Sequence, residues 1–134
     1  MYEVTVNVET EINPTESEEK VKAAVSCILG NASITIKPDG KTNILTAEAK
    51  GQESLVKLRN IMRSDRVRDA SRKALFRNTR GNTIRFCLNK QVAFAGHISF
   101  CEETAESPLG PIKVTIDTDN PQQLIEWLAE KTER

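Results

Sequence analysis

The first apolar positions of the chain alternate with polar ones. Tyr2, Val4, Val6 and Val8 are each separated by one polar residue, and the alternation runs through Thr10 to Ile12. A period of two puts every second side chain on the same face, so this segment is a long, half-buried strand. It stops at Asn13-Pro14, and Thr15 with Glu18 has the spacing of a capping box for a following helix. In that helix Val21, Ala24, Val25, Ile28 and Leu29 recur at helical intervals, with Gly30 as the stop. Ile34 and Ile36, then Leu45, Ala47 and Ala49, mark two strands on either side of Pro38-Asp39-Gly40. Proline presets φ there and glycine permits a positive φ, so the two strands form a hairpin.

From Gln52 onward the period lengthens. Leu55, Leu58, Ile61 and Met62 make the apolar stripe of one helix, and Val67, Ala70, Ala74 and Leu75 the thinner stripe of a second. Ser64-Asp65 offers a cap at their junction, and Arg80-Gly81-Asn82 ends the helical stretch. Strands are expected around Thr83–Leu88 and Ala95–Cys101, joined by a turn at Asn89-Lys90-Gln91. A polar loop over Glu102–Pro111 finishes in Ser107-Pro108-Leu109-Gly110-Pro111, where each proline restricts itself and its predecessor. Ile112, Val114 and Ile116 form a last strand. Asp119 or Asn120 caps a final helix that carries Leu124, Ile125, Trp127 and Leu128, with Pro121 in its first turn. The predicted order is βαββααβββα. Short turns between neighbouring strands argue for an antiparallel sheet with helices on one face, a single α+β domain over residues 1–134.

Composition adds little to this and excludes several alternatives. A chain of 134 residues with 38% apolar and 28% charged residues can bury a core without staples. Cys27, Cys87 and Cys101 are odd in number and have no CxxC spacing, so they read as buried free thiols rather than a disulfide framework. No apolar run approaches the roughly 20 residues of a membrane span. The start, Met1-Tyr2-Glu3, has no targeting character, so the expected location is the cytoplasm with no membrane partner.

Charge changes the picture. The formal net charge is zero, yet residues 50–90 hold twelve Lys/Arg against Glu53, Asp65 and Asp69, which is +9 and leaves −9 for the remainder. Such asymmetry points to a polyanion or an acidic partner facing the middle of the chain. The candidate contacts form a basic helical belt within residues 57–90: Arg59, Arg63, Arg66, Arg68, Arg72, Lys73, Arg77, Arg80 and Lys90, with Arg85 extending it. Arginine's planar fork matches phosphate oxygens two at a time and stacks on bases. Phe76 projects toward the charged side, where a lone aromatic near a helix end is usually packed and stacking on an unpaired base is the alternative. Charge reversal at Arg68 with Arg72 is the change that this pattern nominates.

Catalysis finds no such support. His97 is the lone histidine and falls in an apolar stretch, and Cys87, His97 and Cys101 lack finger-like ligand spacing. There is no glycine-rich phosphate loop, GxSxG or HExxH. Asp65 and Asp69 share a helical face, where neighbouring arginines would keep them ionised. The expectation is a non-enzyme with no metal and no cofactor.

Several stretches carry a family resemblance: Glu53-Ser54-Leu55 with Leu58-Arg59, Phe86-Cys87-Leu88-Asn89-Lys90-Gln91 with Ala93-Phe94 and Gly96, Ser99-Phe100-Cys101, Ser107-Pro108-Leu109-Gly110-Pro111-Ile112, and Trp127-Leu128-Ala129. Together they resemble an archaeal family of uncharacterised proteins classed as RNA-binding and once proposed as exosome-associated. The resemblance implies the α+β fold of the large-subunit ribosomal protein that binds 5S RNA, and a homodimer. It carries no established catalytic residues. Two readings follow. In the first, the belt contacts RNA phosphates, with protein partners in RNA processing. In the alternative, a non-enzymatic assembly protein docks its basic face on an acidic protein surface or uses it as a homodimer contact.

Overall fold

The computed structural model describes residues 3–30, 32–40, 42–64, 68–101 and 111–129. Strand β1 (Val4–Ile12) buries Val4, Val6, Val8, Thr10 and Ile12 and turns the residues between them outward. On one side it pairs with β3 (Thr42–Lys50), which closes a hairpin with β2 (Ser33–Asp39). On the other it pairs with β7 (Pro111–Thr118), which in turn pairs with β5 (Thr83–Asn89). The far edge of β5 is shared by two short strands, β4 (Thr79–Arg80) and β6 (Phe100–Cys101). Every pairing among the described residues is antiparallel, in the order β2-β3-β1-β7-β5-β4 with β6 beside β5.

The buried residues share one face of this sheet. Leu45, Ala47 and Ala49, Ile112, Val114 and Ile116, and Ile84, Phe86 and Leu88 repeat the parity of β1. Against them pack α1 (Glu18–Ile28), α2 (Val56–Ser64), α3 (Arg68–Arg77) and α5 (Pro121–Leu128), giving one contiguous core with Val25, Leu58, Met62, Leu75, Leu124 and Ile125 inside it. The protein is α+β, as its pattern predicts. Asn120 caps α5, its side chain accepting from the Gln123 N–H at 3.1 Å, with Pro121 in the first turn.

Local differences have local causes. α1 begins later than Thr15 would start it, because Ser17 is the cap: its hydroxyl accepts from the Lys20 N–H, while Glu16 reaches back to Asn13. Gly30 takes no left-handed turn. α1 ends on an extended Leu29, and the Gly30 N–H donates to the Ser54 carbonyl at 2.9 Å. Arg80 does not simply end the helices but lies in β4, turned into β5 through Gly81 at φ +59. Tyr2, Asp65, Val67 and the 102–110 loop lie outside the described residues.

The largest correction concerns Asn89-Lys90-Gln91, which is not a turn between strands. Asn89 Oδ1 accepts from the Val92 N–H at 3.0 Å, the geometry of a helix cap, and Lys90–Phe94 forms α4. A polar side chain that captures a backbone N–H three residues on starts a helical turn even in an apolar stretch. Little of the expected Ala95–Cys101 strand remains, and His97 is an exposed residue of the connection from α4 to β6.

Lys90 has a structural role instead of a phosphate contact. Its side chain is 3% exposed, and its ammonium donates to the Glu11 carbonyl at 2.6 Å and to Glu16 Oε1 at 3.1 Å. One cation thereby ties the start of α4 to the end of β1 and to the turn before α1. Burial alone would raise the Glu16 pKa. The Asn13 N–H, the Lys90 ammonium and the Asn13 amide together outweigh it, and the carboxyl is held below its ordinary 4.5.

Removing one partner of a buried pair strands the other. Lys90→Met is expected to lose about 3 kcal/mol, read as a lower urea midpoint. A depressed carboxyl contributes stability above its unfolded pKa and loses it as pH falls through the folded value. Glu16→Gln should therefore be less stable than the native protein at pH 7, and the gap should narrow well below pH 4.5. A gap independent of pH would assign the effect to packing.

Candidate nucleic-acid interface

The helical region begins at Gly51, whose φ of +92 starts a 3₁₀ turn, Gln52–Leu55, locked by the Ser54 hydroxyl donating to the Gly51 carbonyl at 2.7 Å. With Leu55, Leu58 and Met62 buried, the cations of α2 are left at its flank and outer side. Arg63 is exposed at the last turn. Arg59 is half-buried: its Nε donates to the Trp127 carbonyl at 3.0 Å, and its guanidinium lies 5.3 Å from the Trp127 ring centre. That contact fastens α2 to the end of α5.

In α3 the inward side is Ser71, Ala74 and Leu75, while Ala70, expected in the apolar stripe, is exposed. Arg72 lies at the flank and docks on α5. Nη1 meets Glu126 Oε2 at 2.8 Å, Nη2 meets Oε1, and the guanidinium sits 5.1 Å from the ring centre of Phe76. The hydrogen-bonded Glu126 carboxylate raises the Arg72 pKa above its ordinary value, so the charged guanidinium is favoured where it meets α5. Phe76, at 37% exposure, already has Arg72 against its ring.

The belt therefore separates into two groups. Arg59, Arg72 and Lys90 hold the fold together. Arg63, Lys73, Arg77 and Arg80 are exposed, and among the described residues no ion pair or hydrogen bond engages their side chains. Lys73 and Arg77 stand one turn apart on α3, and Arg80 follows in β4. Arg66 and the Arg68 side chain lie outside the described residues. Arg85 in β5 is exposed as well, on the sheet face that carries no core.

Sequence reasoning had no means of seeing Glu126, 54 residues from its partner Arg72, nor the Trp127 carbonyl, 68 residues from Arg59. Cys27 and Cys87 are free thiols, but half-buried rather than buried; the Cys101 side chain lies outside the described residues. Among the described residues no three His, Cys, Asp or Glu side chains gather as metal ligands, and no helix is long and apolar enough to cross a membrane.

Comparison with known proteins gives this surface a context. A family model described as RNA binding matches residues 5–118. A UPF0201 protein from Sulfurisphaera tokodaii is 46% identical over 125 residues, covering 93% of this chain and 86% of its own. One from Saccharolobus solfataricus is 39% identical over 129 residues, covering 96% and 89%. The crystal structure of an uncharacterised UPF0201 protein superposes with a TM-score of 0.81 at 32% identity, over 96% of this chain and 94% of that one. The UPF0201 protein of Methanococcus jannaschii superposes at 0.83 with 28% identity, over 96% and 95%. The chain belongs to the archaeal UPF0201 family, whose matching family model is the one described as RNA binding.

Proposed function

We propose that this protein is a non-catalytic RNA-binding module whose contacts to phosphate come from Arg63, Lys73, Arg77 and Arg80, with Arg66 and Arg68 in the same chain segment. The observation that carries the reading is the second group of cations, exposed and without a partner inside the described molecule. Lys73 and Arg77 are like charges at i and i+4, an arrangement that costs a few tenths of a kcal/mol in an isolated helix. A polyanion lying along α3 would relieve that repulsion. Phosphate contacts of this kind supply affinity and register without reading sequence.

Four neutralised phosphates give a slope of log K against log salt of about −3 to −4. The test is RNA binding by the purified protein at two salt concentrations beside Lys73→Glu/Arg77→Glu. The expected result is steep salt dependence in the native protein and loss of binding in the double variant, with an unchanged thermal melt. Equal affinity of the two proteins would overturn the assignment. This pair replaces Arg68 with Arg72 as the informative choice, because reversing Arg72 would set two carboxylates against each other at Glu126.

Arg72→Ala is the complementary control. Glu126 is 44% exposed, so solvent screens the ion pair and its loss should cost only about 1 kcal/mol of stability. RNA affinity should fall far less than in Lys73→Glu/Arg77→Glu if Arg72 serves α5 alone, with any small loss traceable to the Glu126 carboxylate left without its partner.

A second reading has its own observation. Glu9, Glu11 and Glu48 are exposed on the open face of the sheet, an acidic surface that a basic face on a second copy would complement. Under that reading a homodimer dissociates as salt is raised, and the protein shows no affinity for RNA.

A further inference from the structure

β4 and β6 divide the outer edge of β5 between them. β4 pairs with Thr83 and Ile84, and β6 with Cys87 and Leu88. Beside the intervening residues, Arg85 and Phe86, a cleft of about 700 Å³ opens. Arg77 and Asn78 line it from the end of α3, Arg85 from β5, Phe100 from β6, and Lys113 and Thr115 from β7.

Three features suit this cleft to a nucleotide. Its described lining has three cations and no carboxylate. Lys113 stands opposite Glu9 across the β1–β7 pair, so the attraction rests mainly on Arg77 and Arg85, both exposed and not engaged by any described side chain. Phe100 supplies an aromatic wall that is half-buried and braced by Phe86, with ring centres 5.6 Å apart. The volume falls within the range of small-ligand sites, roughly 300–1,000 Å³. The cleft also has a direction. A neighbouring depression shares Arg85, Lys113 and Thr115 but carries Glu9 and Glu48 on its far side, where a phosphate would be repelled.

We infer that the cleft takes one unpaired nucleotide of bound RNA, its phosphate between the guanidinium groups of Arg77 and Arg85 and its base against Phe100. The inference rests on the RNA-binding reading and extends it. Arg77 belongs to both surfaces, so a strand lying along α3 is led at its end into the β5 edge. Bases of a duplex are stacked inside it and cannot reach an aromatic wall, which makes the protein selective for single strands.

The test titrates uridine 5′-monophosphate into the ¹⁵N-labelled protein and compares an eight-residue oligouridine with an RNA duplex of equal length. The mononucleotide is expected to shift the amides of Asn78, Arg85, Phe86, Cys87 and Thr115. The oligomer should bind at least tenfold more tightly than the duplex. Arg85→Gln, an exposed substitution, should keep the native melt yet lose both the shifts and the preference, and Phe100→Leu should lose the preference. Absent shifts, shifts confined to α3, or an Arg85→Gln protein that behaves as native would overturn the cleft and leave the helical surface to its own salt test. Cleft shifts in a protein whose RNA affinity ignores Arg63→Glu/Lys73→Glu, neither of which lines the cleft, would uphold the cleft and overturn the helical surface.

Discussion

The sheet can bury only one of its faces, and the rest of the structure depends on that. From β3 through β1 and β7 to β5, the apolar residues keep a single parity, and slipping any strand by one residue would turn its Val and Ile side chains to water. All of the core-forming helices must then crowd onto the same side. Crowding means that each helix has an inner wall, a flank against another helix and a side left to solvent. For α2 and α3 these three positions are filled by aliphatic residues, by Arg59 and Arg72, and by Arg63, Lys73 and Arg77 in that order.

That arrangement explains how one run of similar residues comes to occupy two unlike environments. A guanidinium at a helix flank finds a carbonyl or a carboxylate on α5 and becomes part of the scaffold. The guanidinium groups of Arg63, four residues after Arg59, and of Arg77, five after Arg72, face solvent and are engaged by no described side chain. The first kind is satisfied by fixed geometry within the molecule and the second faces solvent, so mutation of the two kinds has different physical consequences even though the side chains are identical.

The sequence made visible whatever is local or periodic. The β1 alternation, the α1 stripe and the Asn120-Pro121 helix start are short-range patterns that appear where they were expected. So does the β2–β3 hairpin, although Pro38 and Asp39 finish β2 and only Gly40 of that tripeptide lies in the turn. What escaped was decided by one atom or by distance. The Asn89 side chain turned an apolar stretch into α4 through a single hydrogen bond, and Ser17 rather than Thr15 won the cap of α1. Lys90 looked like a surface amine because nothing nearby in sequence announces that the Glu11 carbonyl will lie 2.6 Å from it. Within the candidate site the charge excess was legible, but which arginines α5 would claim was not, since that depends on contacts between residues far apart in the chain.

The position of β7 has a consequence for how the molecule is assembled during synthesis. β1, β2 and β3 pair among themselves, as do β4, β5 and β6, but among the described strands the two groups are joined in the sheet through β7, the last of these in the chain. Thr10 donates to the Pro111 carbonyl across 101 residues of chain. Until that segment emerges, β1 and β5 would each have one edge without its strand, and a raw backbone edge favours pairing with the wrong partner. β7 covers both of those edges, so a single strand's pairing decides whether either is left open.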